Sequence, residues 1–121
     1  MFFKILTSYS DIVRDIQIVR LRRERRSYEI VGVLFLNDGS ELHFKDYMFE
    51  DGSRKYAYHW QTKDAEPVGR WDNAPHWTDS ETFPHHFHNI AEEMIEDSTI
   101  CNLESVLEYL RGHTHQKNDK P

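Results

Sequence analysis

Two Asp-Gly pairs, Asp38-Gly39 and Asp51-Gly52, each lie between segments in which apolar and polar residues alternate. This combination is the strongest short-range signal for a β-hairpin, because the residues of a tight turn need positive φ. The alternation predicts about five extended segments, which consecutive hairpins place side by side. These segments are residues 16–24, 28–36, 41–49, 54–62 and 68–72. The predicted centre of the fold is therefore an antiparallel meander.

Helical patterns flank the predicted sheet on both sides. Residues 8–14 begin with serines that can cap a short helix. After Asn102, a second capping residue, apolar side chains recur at helical spacing until Gly112, where the helix is predicted to end. The predicted fold class is α+β: a twisted antiparallel meander of about five strands, with a short N-terminal helix and a C-terminal helix packed on the sheet.

Length and composition limit the classes of protein. With 121 residues, 38% apolar, the chain is predicted to form one α+β domain over residues 1–112, followed by a disordered polar tail over 113–121. The single cysteine, Cys101, excludes an intrachain disulfide and a cysteine-based zinc cluster. Charges interrupt every apolar stretch near the N-terminus, so we expect a cytoplasmic protein that does not associate with membranes.

The hairpin loops predict which residues share a face of the sheet. If each Asp-Gly pair is a two-residue loop, Val33 lies opposite Phe44, and Phe44 lies opposite His59. A third turn at residues 64–65 then puts His59 opposite Arg70, with Tyr58 and Trp71 on the other face. The predicted common face has an apolar part, Val31, Val33, Phe35, Leu42, Phe44 and Met48, and a polar part, Asp46, His59, Gln61, Arg70 and Asp72.

Residues 56–88 hold five of the eight histidines of the chain, interleaved with aromatic residues. Imidazoles titrate near physiological pH, so two of them with a nearby cation can supply the acid, the base and the charge stabilisation for metal-free RNA cleavage. The predicted catalytic residues are His59, Arg70, Asp72, His76, His85, His86 and His88. Flat aromatic rings can stack on unpaired bases, and the predicted substrate-binding residues include Tyr58, Trp60 and Trp71. The alternative is a structural belt in which buried His and Trp satisfy one another.

Charge is unevenly distributed along the chain, although its formal net charge is −6. Arginines cluster over residues 20–26, and acidic residues over 92–108. Arg20, Arg22 and Arg23 are predicted to hold phosphates, and the acidic side to meet a basic partner; two solvated surfaces are the alternative.

Metal chemistry is a second alternative, because His85, His86 and His88 could bind zinc together with Asp72 and His76. The chain has no His-Glu-x-x-His pair and no Gly-rich phosphate loop. We therefore predict no metal and no cofactor.

Three strings occur in a fixed order: YHWQ at residues 58–61, RWDNAPH at 70–76 and FPHHFH at 83–88. With the C-terminal leucine-bearing helix that follows, they resemble the TumE-like family of prokaryotic toxins, from about residue 30 to residue 111. The chain departs from the expected pattern at Trp77 and Phe87, where a histidine and a lysine are expected. The resemblance adds Asn73 to the predicted substrate-binding residues.

The resemblance implies the toxin component of a toxin–antitoxin pair, with a cognate antitoxin that binds DNA and is encoded beside it. RNA is the expected substrate by analogy with other such toxins. In this hypothesis His59 and one histidine of the loop that follows the sheet form the acid–base pair, Arg70 stabilises charge, and Asp72 orients. A non-catalytic binding protein and a metal-dependent hydrolase or nucleotide-modifying toxin are the alternatives, and a homodimer is left open.

Overall fold

The computed structural model describes residues 2–73, 86–89, 94–97 and 102–118. These residues form one antiparallel sheet of seven strands in sequence order, with a helix at each end of the chain. The elements are α1 (Phe2–Ser8), β1 (Val13–Glu24), β2 (Ser27–Leu36), β3 (Glu41–Met48), β4 (Arg54–Gln61), β5 (Pro67–Asp72), β6 (His86–Asn89), β7 (Met94–Asp97) and α2 (Leu103–Asn118). The predicted α+β meander with two flanking helices is confirmed.

The five predicted strands correspond to β1–β5 with ends shifted by at most three residues, and two short strands extend the sheet beyond them. After Asp72 the chain was expected to leave the sheet, but β6 pairs with β5 and β7 pairs with β6. Strands of four residues are too short for an alternation pattern to reveal. The first helix covers Phe2–Ser8 rather than residues 8–14, because Val13 and Arg14 belong to β1. The second helix continues through Gly112 to Asn118.

Both Asp-Gly hairpins have three-residue loops rather than the predicted two-residue loops. The Leu36 amide donates to the Ser40 carbonyl at 2.9 Å, which leaves residues 37–39 in the first loop. Gly39 has φ +90°, and Gly52 at the same place in the second loop has φ +87°. A type I turn followed by a left-handed glycine has this form.

The extra loop residue changes the register by one, and such a change moves every side chain to the other face. Phe44 therefore lies opposite Gly32 and Tyr58, not opposite Val33 and His59 as predicted. The predicted common face was wrong in this respect, because its members divide between the two sides of the sheet. Leu42, Phe44, Asp46 and Met48 lie on one side, and Val31, Val33, Phe35, His59, Gln61, Arg70 and Asp72 lie on the other.

The register between β4 and β5 is the predicted one: His59 lies opposite Arg70, and Tyr58 opposite Trp71. The connecting loop again has three residues, and its last residue, Ala65, has φ +64°. A register shift between Trp60 and Gln61 compensates for the extra residue.

Both helices pack on the side of the sheet that carries Phe44, called here the helix-covered face. Its fully buried side chains include Leu42, Tyr58 and Trp71 from the strands and Leu107 from α2. The Ser105 amide donates to Asn102 Oδ1 at 2.8 Å, as the predicted helix cap requires. The predicted packing of the C-terminal helix on the sheet is thus confirmed.

Candidate active site

Residues of four neighbouring strands line up across the other face of the sheet. His43 on β3 lies opposite His59 on β4, which lies opposite Arg70 on β5, and position 88 on β6 continues the line. Side chains directly opposite one another in an antiparallel sheet have Cβ atoms about 5 Å apart. We call His43, His59 and Arg70 the His–Arg row.

The row is accessible to solvent. The side chain of His43 is 43% exposed and that of Arg70 is 46% exposed, and His59 between them is half-buried. Lys45 is exposed two residues along β3 from His43, on the same face. The face therefore presents imidazole and cationic groups together to a solute.

A carboxylate holds each end of the row. Glu41 Oε1 lies 3.0 Å from His43 Nε2, and Asp72 Oδ2 forms an ion pair with Arg70 Nε at 2.9 Å. Asp72 is itself buried, with its side chain 8% exposed. These contacts limit the rotation of the imidazole and the guanidinium, which gives the row a defined geometry.

The pKa of His59 is lowered from the ordinary histidine value. Burial is the largest cause, and the positive charge of Arg70 and the neighbouring His43 lower the pKa further. Each of these effects disfavours the protonated ring. The environment of His59 therefore favours the neutral ring, which is the form that can accept a proton.

The structure brings together three of the seven predicted catalytic residues, His59, Arg70 and Asp72. The backbone of β6 sets His86 opposite Asp72 and His88 opposite Arg70; their side chains lie outside the described part of the structure. His76 and His85 also lie outside the described residues.

The predicted stacking residues Tyr58, Trp60 and Trp71 are buried on the helix-covered face. The Trp71 ring stacks on Phe87 at a centroid distance of 4.6 Å, and it meets Tyr109 of α2 edge-on at 5.2 Å. Their positions are those of core residues.

Asn73, another predicted substrate-binding residue, uses both polar atoms of its side chain within the protein. Its Oδ1 accepts from the Tyr56 amide at 2.9 Å, and its Nδ2 donates to the Arg54 carbonyl at 2.8 Å. Asn73 therefore ties the end of β5 to β4.

The arginines predicted to hold phosphates divide between the two faces. Arg20 and Arg22 lie on the face of the His–Arg row, and Arg20 donates to Glu29 at 2.9 Å. Arg23 lies opposite Tyr28 on the helix-covered face. The structure thus separates a cluster that is continuous in the sequence.

Sequence reasoning missed His43 and Glu41, because the two-residue loop put β3 in the wrong register. The sequence Asp-Gly-Ser in both loops is a usable signal. Asp38 Oδ1 accepts from the Ser40 amide and Asp51 Oδ1 from the Ser53 amide, both at 2.9 Å, so each Asp stabilises a loop that ends on glycine. Among the described residues, no group of three or more His, Cys, Asp and Glu side chains is arranged to hold a metal ion.

Comparison with known families places the chain. A family model described as "Toxin TumE" matches residues 2–114. The chain belongs to the TumE toxin family. The predicted resemblance is confirmed, over a longer segment than the motifs covered, and membership of a toxin family implies a cognate antitoxin in general. No curated protein and no solved structure matches the chain. Neither helix in the described part of the chain has the length and apolar character needed to cross a membrane.

Proposed function

We propose that this protein is a toxin that cleaves RNA by metal-independent acid–base catalysis on the His–Arg row. The observation that carries the proposal is the register that puts His59 between His43 and Arg70 on a solvent-accessible face. Two imidazoles and a guanidinium within reach of one phosphate are sufficient for this reaction.

His59 acts as the general base. As the neutral ring it takes the proton of an RNA 2′-hydroxyl, and the 2′-oxygen attacks the adjacent phosphorus. The bond between phosphorus and the 5′-oxygen of the next nucleotide then breaks, which leaves a 2′,3′-cyclic phosphate. The lowered pKa of His59 suits this role, because it favours the unprotonated ring that a general base needs before the reaction.

Arg70 stabilises the negative charge that develops on the phosphoryl oxygens. The guanidinium is the neighbour of His59 on β5, and Asp72 forms an ion pair with its Nε at 2.9 Å. A guanidinium held in this way is orientated before substrate arrives, so less of its freedom is lost in the transition state. Asp72 is in this proposal a positioning residue.

The general acid donates a proton to the leaving 5′-oxygen. His43 lies on the opposite side of His59 from Arg70, and Glu41 orientates its ring from 3.0 Å. The second candidate is His88, whose backbone lies opposite Arg70 on β6. It is one of the histidines that the sequence predicted as the acid–base partner of His59. The two candidates are distinguished by separate His43→Gln and His88→Gln variants.

The rest of the RNA can follow the same face toward β1. Arg20 and Arg22 lie there, three strands from His59, which is roughly 14 Å at the usual strand spacing. Cations at that distance can hold phosphates of neighbouring nucleotides, although the chain is acidic as a whole.

The test compares purified wild-type protein with His59→Gln and Arg70→Met. We measure cleavage of single-stranded RNA in a buffer that contains EDTA, and growth arrest of cells that express each protein. We expect each variant to lose activity by about 10²-fold or more while the protein stays folded. His113→Gln is the matched control, because His113 is a half-buried histidine whose ring contacts Trp60 on the helix-covered face.

Three results would contradict the proposal. Wild-type RNA cleavage that stops in EDTA would indicate a metal-dependent hydrolase. Unfolding of His59→Gln would indicate a structural histidine cluster in a binding protein. Growth arrest by the wild-type protein without any RNA cleavage would mean that the toxin acts on a substrate other than RNA.

A further inference from the structure

The strand β1 forms one edge of the sheet and is its longest strand, with 12 residues. It pairs only with β2 among the described strands. Ile18, Val19 and Leu21 on this strand are 37%, 61% and 62% exposed. A long strand edge with exposed apolar side chains is a ready template for pairing with a segment of another chain.

A cavity of about 970 Å³ adjoins this edge on the helix-covered face, near the start of α2. Leu21 belongs both to the exposed edge and to the cavity lining, which continues over Ile30, Phe44 and Met48. A strand added beside β1 would therefore project every second side chain toward this apolar space. The edge supplies main-chain pairing and the cavity supplies side-chain selection.

The polar groups at the base of the cavity satisfy one another. Asp46 accepts from Arg54 at 2.7 Å, from Tyr58 at 3.0 Å and from Tyr28 at 3.3 Å. Burial and the carboxylate of Asp46 raise the pKa of Tyr58, so its phenol stays protonated as a donor. The cavity thus offers a guest chiefly apolar contacts.

Charge distinguishes between the partners that could cover this edge. Five arginines lie on β1 and its hairpin, namely Arg20, Arg22, Arg23, Arg25 and Arg26. Of these, Arg20 is paired with Glu29, and Arg23, Arg25 and Arg26 line the cavity together with the acidic residues Glu50, Asp51 and Glu104. A second copy that paired β1 with β1 antiparallel along its whole length would set Arg22 opposite a single carboxylate, Asp15, and Arg23 opposite Arg14, so it would match these arginines less well than a segment with several acidic side chains. An acidic segment would be attracted.

We propose that the β1 edge and the adjoining cavity bind an extended segment of the cognate antitoxin in which acidic and apolar residues alternate. Its backbone pairs with β1, its acidic side chains meet the arginines, and one apolar side chain enters the cavity beside Leu21. The partner's identity rests on the toxin function proposed above, whereas the binding mode does not depend on RNA cleavage.

The probe is a fluorescein-labelled peptide of about twelve residues in which glutamate alternates with valine, titrated onto the full chain. We expect saturable binding. The affinity should fall at least about tenfold in Leu21→Glu, and at least about tenfold in a double variant that carries Arg22→Glu and Arg23→Glu. Lys63→Glu, an exposed charge reversal in the β4–β5 loop, is the matched control and should change the affinity by less than about twofold. Amide hydrogen exchange should slow in β1 and not in β7, the other edge of the described sheet.

Two further peptides test strand addition and charge. A peptide with lysine in place of glutamate, and one with proline at alternate positions, should not bind, because they lose charge complementarity and backbone donors respectively. Absence of acidic-peptide binding, or binding unaffected by Leu21→Glu, would overturn the proposal. If the chain self-associates and Leu21→Glu abolishes this self-association, the occupant of the β1 edge is a second copy of the chain and not the antitoxin. Binding of single-stranded RNA that Leu21→Glu abolishes would assign the edge to substrate. Because each readout is binding, a failed RNA-cleavage proposal would leave these results interpretable.

Discussion

The two faces of the sheet are built from the same strands and have opposite characters. On β4, Tyr58 is fully buried and Trp60 is 6% exposed, whereas His59 between them is half-buried. Alternate residues of a strand point to opposite faces, so one short segment contributes at once to the core and to the candidate site. The two faces therefore have different roles. The helix-covered face supplies the hydrophobic core, and the opposite face can carry titratable groups without disrupting that core.

The Asp–Arg pairs of the two faces differ in the same way. On the helix-covered face, Asp46 and Arg54 have side chains 13% and 25% exposed, and two tyrosines add hydrogen bonds. On the other face, Asp72 is buried but Arg70 is 46% exposed. The first pair is shielded on both sides, and the second presents its cation to solvent.

The largest difference between buried and exposed positions should appear in packing. Leu107→Ala in α2 removes a fully buried side chain, and we expect a loss of about 3 kcal/mol in the free energy of unfolding. Leu21→Ala, the same substitution at a position 62% exposed, should cost less than about 0.5 kcal/mol. Urea denaturation measures both values. Equal losses would mean that the helix-covered face is not the main source of stability.

The ion pairs give the next largest effect. Arg54→Met leaves the shielded Asp46 without its cation, and we expect a loss of about 2 kcal/mol in unfolding free energy. Arg70→Met should cost less, about 1 kcal/mol: it also leaves a buried carboxylate, Asp72, but the guanidinium that it removes is 46% exposed, so solvent screens the ion pair. The same denaturation experiment compares them, and a larger cost at Arg70 would contradict the assignment of that residue to function rather than stability.

Asn73 tests whether residues at the border of the site serve the fold. Asn73→Ala removes two hydrogen bonds to the backbone of β4, so we expect a loss of about 1 to 2 kcal/mol in unfolding free energy. Asn73→Asp retains the acceptor and loses the donor, and its cost should be intermediate. If Asn73→Ala keeps its full stability but loses activity, Asn73 binds substrate, as the sequence predicted.

The smallest effect concerns the pH dependence of stability. The folded-state pKa of His59 lies below its unfolded value, so its contribution is fully present above about pH 6.5 and is lost as the pH falls from there through the folded pKa. Because the ring is half-exposed, we expect less than about 1 kcal/mol. The difference between wild type and His59→Gln, measured by denaturation across this range, isolates the effect. In Arg70→Met the pKa of His59, followed by NMR, should rise. An unchanged pKa would mean that the charge of Arg70 does not act on His59.

Much of the fold was predictable because it depends on local pattern. Alternation located β1–β5, and the helical stripe after Asn102 located α2 and the side that it packs. His59, Arg70 and Asp72 were predicted as neighbours, and the structure places them so. That prediction succeeded because the bulge after Trp60 cancelled the extra residue in the third loop.

His43 could not be found in the same way. Its place beside His59 depends on the conformation of the loop between β3 and β4, where one additional residue exchanges the faces of a whole strand.

The amino-acid sequence by itself determined β1–β5 and α2, the antiparallel order of those strands and the family, because alternation, capping residues and motifs act over a few neighbouring residues. Only the tertiary structure decided which side chains share a face, which of them α2 buries, and that His43 completes the row with His59 and Arg70. Those outcomes depend on pairing across strands, where a single residue in a turn changes every contact that follows.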